Sequence, residues 1–409
     1  MENVKYIGWF KFKSKMTYNH TFIHSSRRVR QTLRSLATIQ SFMYSFLIFI
    51  LFIICLDISF GQDKILKDAF KNHFLIGVAL NSNQVLEKDK IATEIVKKHF
   101  NSITSENDLK WESIHPQPDK YDFEAADRFV EFGEKNNMFI IGHTLVWHAQ
   151  TPRWVFQDSS GKSVDRVTLL NQMKDHIQTV VGRYKSKVKG WDVVNEALNE
   201  DGSLRQSLWM KIIGEDYLTK AFEYAHEADP DAELYYNDYS LENKPKRDGA
   251  VALIKKLQSQ GIKISGVGLQ GHYKMDWPTS AQLDSTIKDF AALGVKIMIT
   301  ELDIDVLPYQ DISAEVTLNV EVKGEMDPYK KGLPDSAETA LADSYKDLFE
   351  VLVKNKDKVS RVTFWGVTDK NSWLNNWPVP GRTNYPLLFD RSGKPKMAFD
   401  AVIKTVTDF

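Results

Sequence analysis

Short apolar runs alternate with longer amphipathic stretches along most of the chain. The apolar runs are rich in Val, Ile, Phe and Tyr, which is typical of buried strands in a parallel sheet. Eight such runs are present, at residues 74–80, 102–107, 139–146, 190–196, 233–238, 266–272, 296–303 and 362–367. The stretches between them include apolar residues three and four positions apart, which predicts helices at residues 125–135, 168–184, 216–228, 247–260, 281–293 and 336–354.

This repeated strand and helix alternation predicts an α/β protein with a (β/α)₈ barrel. Residues 62–409 contain no Ser- or Pro-rich linker, no low-complexity tract and no heptad run, so we expect one catalytic domain there. An open doubly wound sheet is the alternative. It lacks support because no Gly-x-Gly-x-x-Gly follows the first predicted strand and no Gly-x-x-x-x-Gly-Lys occurs, which also leaves nucleotide binding without a basis.

The N-terminal 61 residues differ from the rest of the chain. Residues 42–56 are almost continuously apolar, and the 42 residues at the start of the chain carry eight Lys or Arg and one acid. An apolar run of this length is short for a membrane span and typical of the core of a signal peptide. Ser59, Phe60 and Gly61 then form a small-x-small pattern. The sequence therefore predicts secretion, with cleavage near Gly61.

Two alternatives remain for this N-terminal segment. The basic region is longer than a signal peptide normally carries, so the true start could lie further along the chain, or the segment could stay as a membrane anchor. A lipoprotein would be acylated at Cys55, but Phe52, Ile53 and Ile54 are too bulky for the small-residue box that usually precedes such a cysteine.

Charge and cysteine content exclude several function classes. The chain has 53 Lys and Arg against 54 Asp and Glu, and residues 62–409 have 45 against 52. This acidic balance lacks the basic excess of a nucleic-acid-binding protein, so no nucleic-acid partner is expected. Cys55 is the only cysteine. The domain at residues 62–409 therefore has no internal disulfide, no Cys-based zinc site and no cysteine nucleophile.

Two glutamates follow buried strands on roughly opposite sides of the predicted barrel mouth. Glu196 follows the run WDVVN, and Glu301 follows IMIT. In a barrel of this type the active site is built at the carboxyl ends of the strands, and glycoside hydrolysis requires two such carboxyl groups. One protonates the leaving oxygen, while the other attacks the anomeric carbon or activates water. For either residue alone, a solvated or helix-capping acid is an equally good interpretation.

Aromatic and amide side chains at the same strand ends favour a sugar site. Sugar rings stack on Trp and Tyr, and their hydroxyl groups need amides, imidazoles and ammonium groups as partners. A single Trp is more often a packing residue, but core packing is a poor explanation for all of them at one end of the barrel. The set comprises Trp111, Trp147, Trp365, Trp373 and Tyr239, beside Asn107, Lys110, His143, Gln150, Asn195, Gln270 and His272.

Seven segments carry a specific family resemblance. They are ITSENDLKWE (103–112), GHTLVWHAQTPRW (142–154), GWDVVNEALNEDG (190–202), YYNDYSLEN (235–243), GVGLQGH (266–272), ITELDIDVLP (299–308) and FWGVTDKNSW (364–373). In this order they resemble the successive signatures of glycoside hydrolase family 10, the retaining endo-1,4-β-xylanases. The resemblance runs from about residue 77 to the C-terminus. Residues 1–61 have no family counterpart, and the long polar segment 308–335 leaves the contacts on the leaving-group side open.

The resemblance implies a role for each candidate residue. Glu196 is expected to be the general acid/base and Glu301 the nucleophile, with their carboxyl groups about 5–5.5 Å apart. His272 is expected to hydrogen-bond Glu301, with support from Asp303. The expected substrate-binding residues are Glu106, Asn107, Lys110, His143, Trp147, Gln150, Asn195, Tyr239, Gln270, His272, Asp303, Trp365 and Trp373. The expected substrate is xylan or a xylo-oligosaccharide, the expected state is a monomer, and no metal or other cofactor is implied.

Three other functions were weighed. A metal-dependent barrel hydrolase could use His143, His148, His272 and Asp303, but its first strand should supply a His-x-His pair, and the segment GVALNSN (77–83) has none. A catalytically silent barrel that binds polysaccharide or inhibits another enzyme typically lacks one of the two carboxyl groups, and both are present here. The same barrel acting on cellulose, or as a broader β-glycanase, remains open.

Overall fold

The computed structural model describes residues 64–308 and 326–407, together with Met43. Within these residues, nine strands form one parallel sheet system. They are β1 (Leu75–Leu80), β2 (Ser102–Ser105), β3 (Phe139–Trp147), β4 (Gly190–Asn195), β5 (Glu233–Asp238), β6 (Gly266–Leu269), β7 (His272–Lys274), β8 (Lys296–Asp305) and β9 (Val359–Phe364). The predicted signal peptide lies outside the described residues, so its cleavage stays a prediction.

Eight of these strands close into a barrel, which confirms the predicted (β/α)₈ fold. The hydrogen-bonded order runs β6-β5-β4-β3-β2-β1-β9-β8, and β6 also pairs with β8 to complete the ring. All the pairings are parallel. In a closed parallel barrel every strand ends at the same face, so the loops that follow the strands meet around one opening.

Helices cover the outside of the barrel. Their bounds are Leu66–Ala69, Ser82–Val85, Lys90–His99, Trp111–Ile114, Glu124–Lys135, Arg166–Arg183, Leu208–Ile213, Tyr217–Ala228, Lys244–Ser259, Ser280–Ala291, Asp335–Lys354 and Met397–Thr407. The six predicted helices are among them and differ at their ends by no more than a few residues. In the described part of the chain, no helix combines the length and the apolar character needed to cross a membrane.

The strand ends differ from the predictions in ways that matter for the site. β2 stops at Ser105, so Glu106 begins the following loop. The predicted sixth strand is broken after Leu269, because Gly271 adopts a left-handed backbone (φ 84°), and a separate short strand, β7, begins at His272. β7 pairs with the end of β8, with His272 opposite Asp303.

Side chains alternate between two cores along each strand. Outward-facing residues such as Ile76, Val78 and Ile103 are fully buried against the helices. Below the mouth of the barrel, the interior is filled by a small cluster of Ile141, Tyr235 and Met298, on which the partly buried Phe139 packs. The barrel is therefore a packed scaffold, and the side chains at its upper end are held by rigid strands.

Candidate active site

A cavity of about 180 Å³ opens at the carboxyl ends of the strands. It brings together thirteen of the fifteen candidate residues, which come from positions spread over most of the chain. They are Glu106, Asn107, Lys110, His143, Trp147, Gln150, Asn195, Glu196, Gln270, His272, Glu301, Trp365 and Trp373. Tyr239 and Asp303 do not line this cavity. Asp303 contacts the lining residues His272 and Trp373, whereas Tyr239 contacts Arg205, which donates to the carbonyl of Glu196.

Glu196 is the residue that follows β4, and its backbone is in the left-handed region (φ 58°). Its amide donates to the carbonyl of Asn237 on the neighbouring strand over 2.9 Å. Non-glycine residues in this conformation are uncommon and strained, and they concentrate at functional sites. The turn directs the carboxyl group into the cavity, where only 3% of the residue is exposed.

Neutral donors surround the carboxyl group of Glu196. The indole of Trp147 donates to Oε2 over 2.8 Å, and the amide of Gln270 donates to Oε1 over 2.9 Å. The amide of Asn195 is 3.3 Å from the same Oε1. Burial raises the pKa of Glu196 above its ordinary value, and the nearby charge of Asp238 acts in the same direction, while His148 and these donors only partly oppose it. A carboxyl group of this kind retains its proton to higher pH.

Glu301 lies on β8 and faces a histidine and an amide. His272 Nε2 is 3.2 Å from Oε2, and the amide of Asn237 donates to Oε1 over 2.8 Å. His272 Nδ1 is in turn 3.0 Å from Asp303 Oδ1. The pairing of β7 with β8 holds His272 opposite Asp303, so the backbone itself aligns Asp303, His272 and Glu301.

For His272 and Glu301, charged and hydrogen-bonding neighbours shift the pKa in the direction opposite to the effect of burial. Burial alone would lower the pKa of His272, but Asp303 and Glu301 outweigh it and raise the pKa to about 10, so the imidazole is a cation at neutral pH. Burial alone would raise the pKa of Glu301. The hydrogen bond from His272, the proximity of His143 and the hydrogen bond from Asn237 instead hold the pKa of Glu301 below its ordinary value. At a pH between the two pKa values, Glu301 is therefore ionised while Glu196 keeps its proton.

Asn237 joins the two halves of the site and was not among the predicted site residues. Its Nδ2 donates to Glu301 and also to Asn195 Oδ1 over 2.9 Å. Its Oδ1 accepts a hydrogen bond of 2.6 Å from the hydroxyl of Thr300. The position of Asn237 at the end of β5 was a usable sequence signal, whereas its two partners lie 42 and 64 positions away in the sequence.

One wall of the cavity is built by the loop after β2. The ammonium of Lys110 donates to Asn107 Oδ1 over 3.0 Å and to Gln150 Oε1 over 2.8 Å, and it lies 5.1 Å from the centre of the Trp147 ring. Burial lowers the pKa of Lys110 and raises that of Glu106 beside it. Because amide, carboxyl and ammonium groups alternate along this wall, it can donate to and accept from several hydroxyl groups.

A buried histidine and two indoles complete the lining. His143 Nδ1 is 2.9 Å from Asp192 Oδ2, and its ring meets Trp365 edge-on at 5.5 Å. Asp192 is a second contributor absent from the predicted set, and a lone acid inside the run WDVVN was the available signal. Trp373 donates from Nε1 to Asp303 Oδ2 over 2.7 Å, which ties its indole to the Asp303 and His272 pair.

Two aromatic candidates lie away from the cavity wall. The ring of Tyr239 covers the ammonium of Lys246, which is 3.4 Å from the ring centre, and its hydroxyl accepts a 2.9 Å hydrogen bond from Arg205. Trp111 stacks on His176, with ring centres 3.7 Å apart, and is 2% exposed. Trp111 therefore packs in the core, while Tyr239 belongs to the layer behind Glu196.

The cavity pairs a carboxyl group of raised pKa, Glu196, with one of lowered pKa, Glu301. Displaced pKa values of opposite direction are how two carboxyl groups take separate roles as acid and nucleophile or base. The neighbouring amides and indoles suit a polyhydroxylated ring. The arrangement can therefore protonate a leaving oxygen on one side of a sugar and attack its anomeric carbon from the other.

Comparison with known proteins agrees with this geometry. The sequence profile described as Glycosyl hydrolase family 10 matches residues 65–405. Endo-1,4-beta-xylanase A of Xylanibacter ruminicola is 46% identical over 83% of this chain and 92% of its own length. A GH10 endoxylanase retrieved from a sugarcane soil metagenome is 48% identical, with a TM-score of 0.80 over 83% of this chain and 99% of its own. A variant solved in complex with xylotriose is 39% identical, with a TM-score of 0.75 over 83% and 99% of the two chains.

Proposed function

The chain belongs to glycosyl hydrolase family 10 and is an endo-1,4-β-xylanase, and we propose that it cleaves internal β-1,4 bonds of xylan by a retaining double displacement. The observation that carries this mechanism is the contrast between the two buried carboxyl groups. The pKa of Glu196 is raised and that of Glu301 is lowered, although both line one cavity.

In the first step, the ionised Glu301 attacks the anomeric carbon of the bound xylose unit. The bond from that carbon to the glycosidic oxygen breaks, and the oxygen takes the proton of Glu196 and leaves as the new chain end. The product of this step is a covalent ester between the sugar and Glu301. The protonated His272 and the amide of Asn237 hold the attacking carboxylate in place through both of its oxygens.

In the second step, water replaces Glu301. Esterification removes the negative charge of Glu301, and the ionised Glu196 then accepts a proton from the water that attacks the anomeric carbon. Glu301 leaves as a carboxylate and the sugar regains the β configuration. Two displacements on the same carbon therefore return the starting stereochemistry.

The remaining lining residues hold the sugar. We assign Glu106, Asn107, Lys110 and Gln150 to hydroxyl binding on one wall, and Asn195 to the hydroxyl next to the reacting carbon. Contacts to that hydroxyl strengthen in the transition state. In the same assignment His143 and Gln270 contact the reacting sugar, and Trp147, Trp365 and Trp373 shape the space around its ring.

Azide rescue separates the two carboxyl roles. We expect Glu301→Ala to lower kcat on every substrate by about 10⁴-fold or more, and azide to restore turnover with an α-glycosyl azide as product. We expect Glu196→Ala to lose about 10²–10⁴-fold on xylan. On aryl xylosides with good leaving groups it should keep the first step, and it should give a β-glycosyl azide.

Proton NMR of the earliest products of the unmodified enzyme provides the independent check. A β-anomer is expected before mutarotation. An initial α-anomer, or near-normal xylan hydrolysis by either alanine variant, would show that the assignment is wrong.

We assign specificity for xylan over cellulose to the indoles of Trp365 and Trp373, which line the cavity. Xylose lacks the hydroxymethyl arm of glucose, and a bulky ring near the reacting sugar excludes that arm. Trp373 also donates to Asp303, so two variants are needed. Trp373→Ala should narrow the ratio of xylan to cellulose activity, whereas Trp373→Phe should keep the ratio and lose only rate. An unchanged ratio in Trp373→Ala would show that the ring packs without selecting.

We also propose export from the cell and a monomeric state. The predicted signal segment at residues 42–56 supports export, and mass analysis of the exported enzyme should find Gln62 near its N-terminus. Retention of residues 1–61 would favour the anchor. Both carboxyl groups and the assigned sugar-binding residues belong to one chain, so the proposed reaction needs no second copy, and light scattering during gel filtration should give the mass of one chain. An active dimer that loses activity on dilution would contradict it.

A further inference from the structure

Three strands meet beneath the pair of carboxyl groups, and two residues at this point, Gly268 and Thr300, have no part in the proposed mechanism. Asn237 on β5, Gly268 on β6 and Thr300 on β8 lie side by side, because β6 pairs with both of the other strands. Asn237 is fully buried and Thr300 is 3% exposed. In a site of this kind, each polar atom requires a defined partner.

The direction of the Asn237 amide decides what Glu301 encounters. With Nδ2 turned toward Glu301 and Asn195, the amide donates to a carboxylate and to a carbonyl oxygen. With the amide reversed, its own carbonyl oxygen would face these two acceptors, and the nucleophile would lose a donor and gain a repulsive neighbour.

Thr300 supplies a donor to the oxygen of Asn237 when the amide has the productive direction. Its Oγ1 is 2.6 Å from Asn237 Oδ1 and 3.3 Å from the carbonyl oxygen of Leu269. A hydroxyl group has one proton, and the shorter contact receives it. Threonine is β-branched, so its side chain has few rotamers on a strand and the hydroxyl position is fixed by the backbone.

Gly268 provides the space for this contact. A Cβ at position 268 would stand 2.2 Å from Asn237 Oδ1 and 2.7 Å from Thr300 Cγ2. Real side chains do not approach this closely, so any residue larger than glycine would displace the amide or the threonine. The three residues therefore act together. Gly268 leaves space for the contact, and Thr300 donates a hydrogen bond to the oxygen of Asn237.

We infer that Thr300 is a positioning residue for the xylanase reaction, whose hydroxyl orients the Asn237 amide toward the nucleophile Glu301 and toward Asn195. Thr300 itself does not line the cavity. It acts through Asn237, which donates to Glu301 and to Asn195. The amide of Asn195 in turn lies beside the carboxyl group of Glu196. The inference rests on the proposed role of Glu301.

The test is Thr300→Val, which keeps the shape and removes the hydroxyl. The oxygen of Asn237 would then lack its donor, and kcat/KM is expected to fall about 10- to 100-fold. The hydrogen bond from Asn237 lowers the pKa of Glu301, so its weakening should move the acid limb of the kcat/KM profile to higher pH. Thr300→Ser keeps the hydroxyl, so its kcat/KM and its acid limb should be close to those of the unmodified enzyme. Gly268→Ala should shift the acid limb in the same direction as Thr300→Val.

A matched control is available on β9. Thr363 is fully buried on a neighbouring strand, and its Oγ1 has no hydrogen-bond partner within the described chain. Thr363→Val makes the same chemical change where no hydroxyl contact is lost, so its acid limb should stay at the position of the unmodified enzyme. Circular dichroism at the assay temperature confirms that each variant is folded.

The outcomes separate the inference from the function on which it rests. An unshifted acid limb in Thr300→Val, a serine variant no better than valine, or an equal shift in Thr363→Val would overturn the positioning role. Failure of azide to rescue Glu301→Ala would instead overturn the assignment of Glu301. Azide rescue together with the shift in Thr300→Val, and not in Thr363→Val, supports both.

Discussion

The surroundings of Glu196 and those of Glu301 are alike in burial and different in charge. Glu196 directly follows β4 and Glu301 lies within β8, and they are 3% and 5% exposed. Glu196 accepts from an indole and two amides, all neutral. Glu301 accepts from His272, a cation at neutral pH, and from the amide of Asn237. Their pKa values move in opposite directions.

This difference shows that burial alone does not assign a catalytic role. Removal from water acts in the same direction on both carboxyl groups and favours the neutral form of each. The charge of the partners decides between them. Asp303, together with Glu301, makes His272 cationic, and His272 then stabilises Glu301 as an anion. In the proposed mechanism, a residue that does not line the cavity therefore determines which glutamate acts as the nucleophile.

The largest effect on activity is expected when His272, the cationic neighbour of Glu301, loses its charge. In Asp303→Asn, His272 lacks the partner that raises its pKa, and at neutral pH it becomes a weaker donor to Glu301. The pKa of Glu301 should then rise, and the acid limb of kcat/KM should move to higher pH. We expect kcat/KM at pH 6 to fall about 10- to 100-fold.

Asp305→Asn is the matched control for this variant. Asp305 is a buried acid two residues further along β8, and its Oδ1 accepts from the amide of Asn384 and from the backbone of Leu307. Its charge acts on Asp303 and is not among the charges that raise the pKa of His272, so the acid limb should move much less than in Asp303→Asn. A shift of equal size in both variants would mean that general charge loss, and not the His272 pair, determines the pKa of Glu301.

A smaller effect on activity is expected when Glu196 loses one of its neutral donors. Trp147→Phe removes the indole donor to Glu196 and keeps an aromatic ring near Lys110. That donor lowers the pKa of Glu196, so its loss should raise the pKa further and move the basic limb of the pH profile to higher pH. We expect a loss of about 2- to 10-fold in kcat. Movement of the acid limb instead would reverse the two carboxyl roles.

The smallest effect concerns stability, and here the two glutamates should differ in sign. The folded-state pKa of Glu196 is raised, so its ionisation costs stability as pH rises above the unfolded value. The folded-state pKa of Glu301 is lowered, so its ionisation adds stability above the unfolded value, and this is lost as pH falls through the folded value. At pH 7, Glu196→Gln should raise Tm and Glu301→Gln should lower it, each by roughly 1–4 °C. Calorimetry showing the same sign for both would contradict the contrast.

The fold could be predicted because its signal is repeated. Each strand of the barrel is an apolar run, and each predicted helix has an apolar face, so errors at single ends do not alter the count. The ends themselves depend on backbone details that the pattern does not contain. Gly271, with its positive φ, breaks the sixth predicted strand, and the resulting β7 exists only because β8 extends far enough to pair with it.

The site was predictable to the extent that its residues stand at strand ends. Glu196, Glu301 and most of their neighbours could be placed at the mouth of the barrel from position alone. Asn237 also stands at a strand end, but its pairing with Thr300 could not be predicted, because their contact depends on β6 bringing β5 and β8 together at Gly268. Tyr239, although just after a strand end, packs over Lys246 in the layer behind Glu196.

The left-handed backbone of Glu196 also bears on how the enzyme responds to artificial selection. Glycine and asparagine adopt this conformation more readily than glutamate, so position 196 is one where survival in a heat-resistance screen and catalysis favour different residues. In a saturation library sorted only for folded protein after heating, we expect glycine and asparagine to become enriched at position 196. Sorting the same library for xylan hydrolysis should return glutamate. Deep sequencing of the two pools measures this conflict directly, and equal residue frequencies in both pools would show that the barrel accommodates glutamate there without cost.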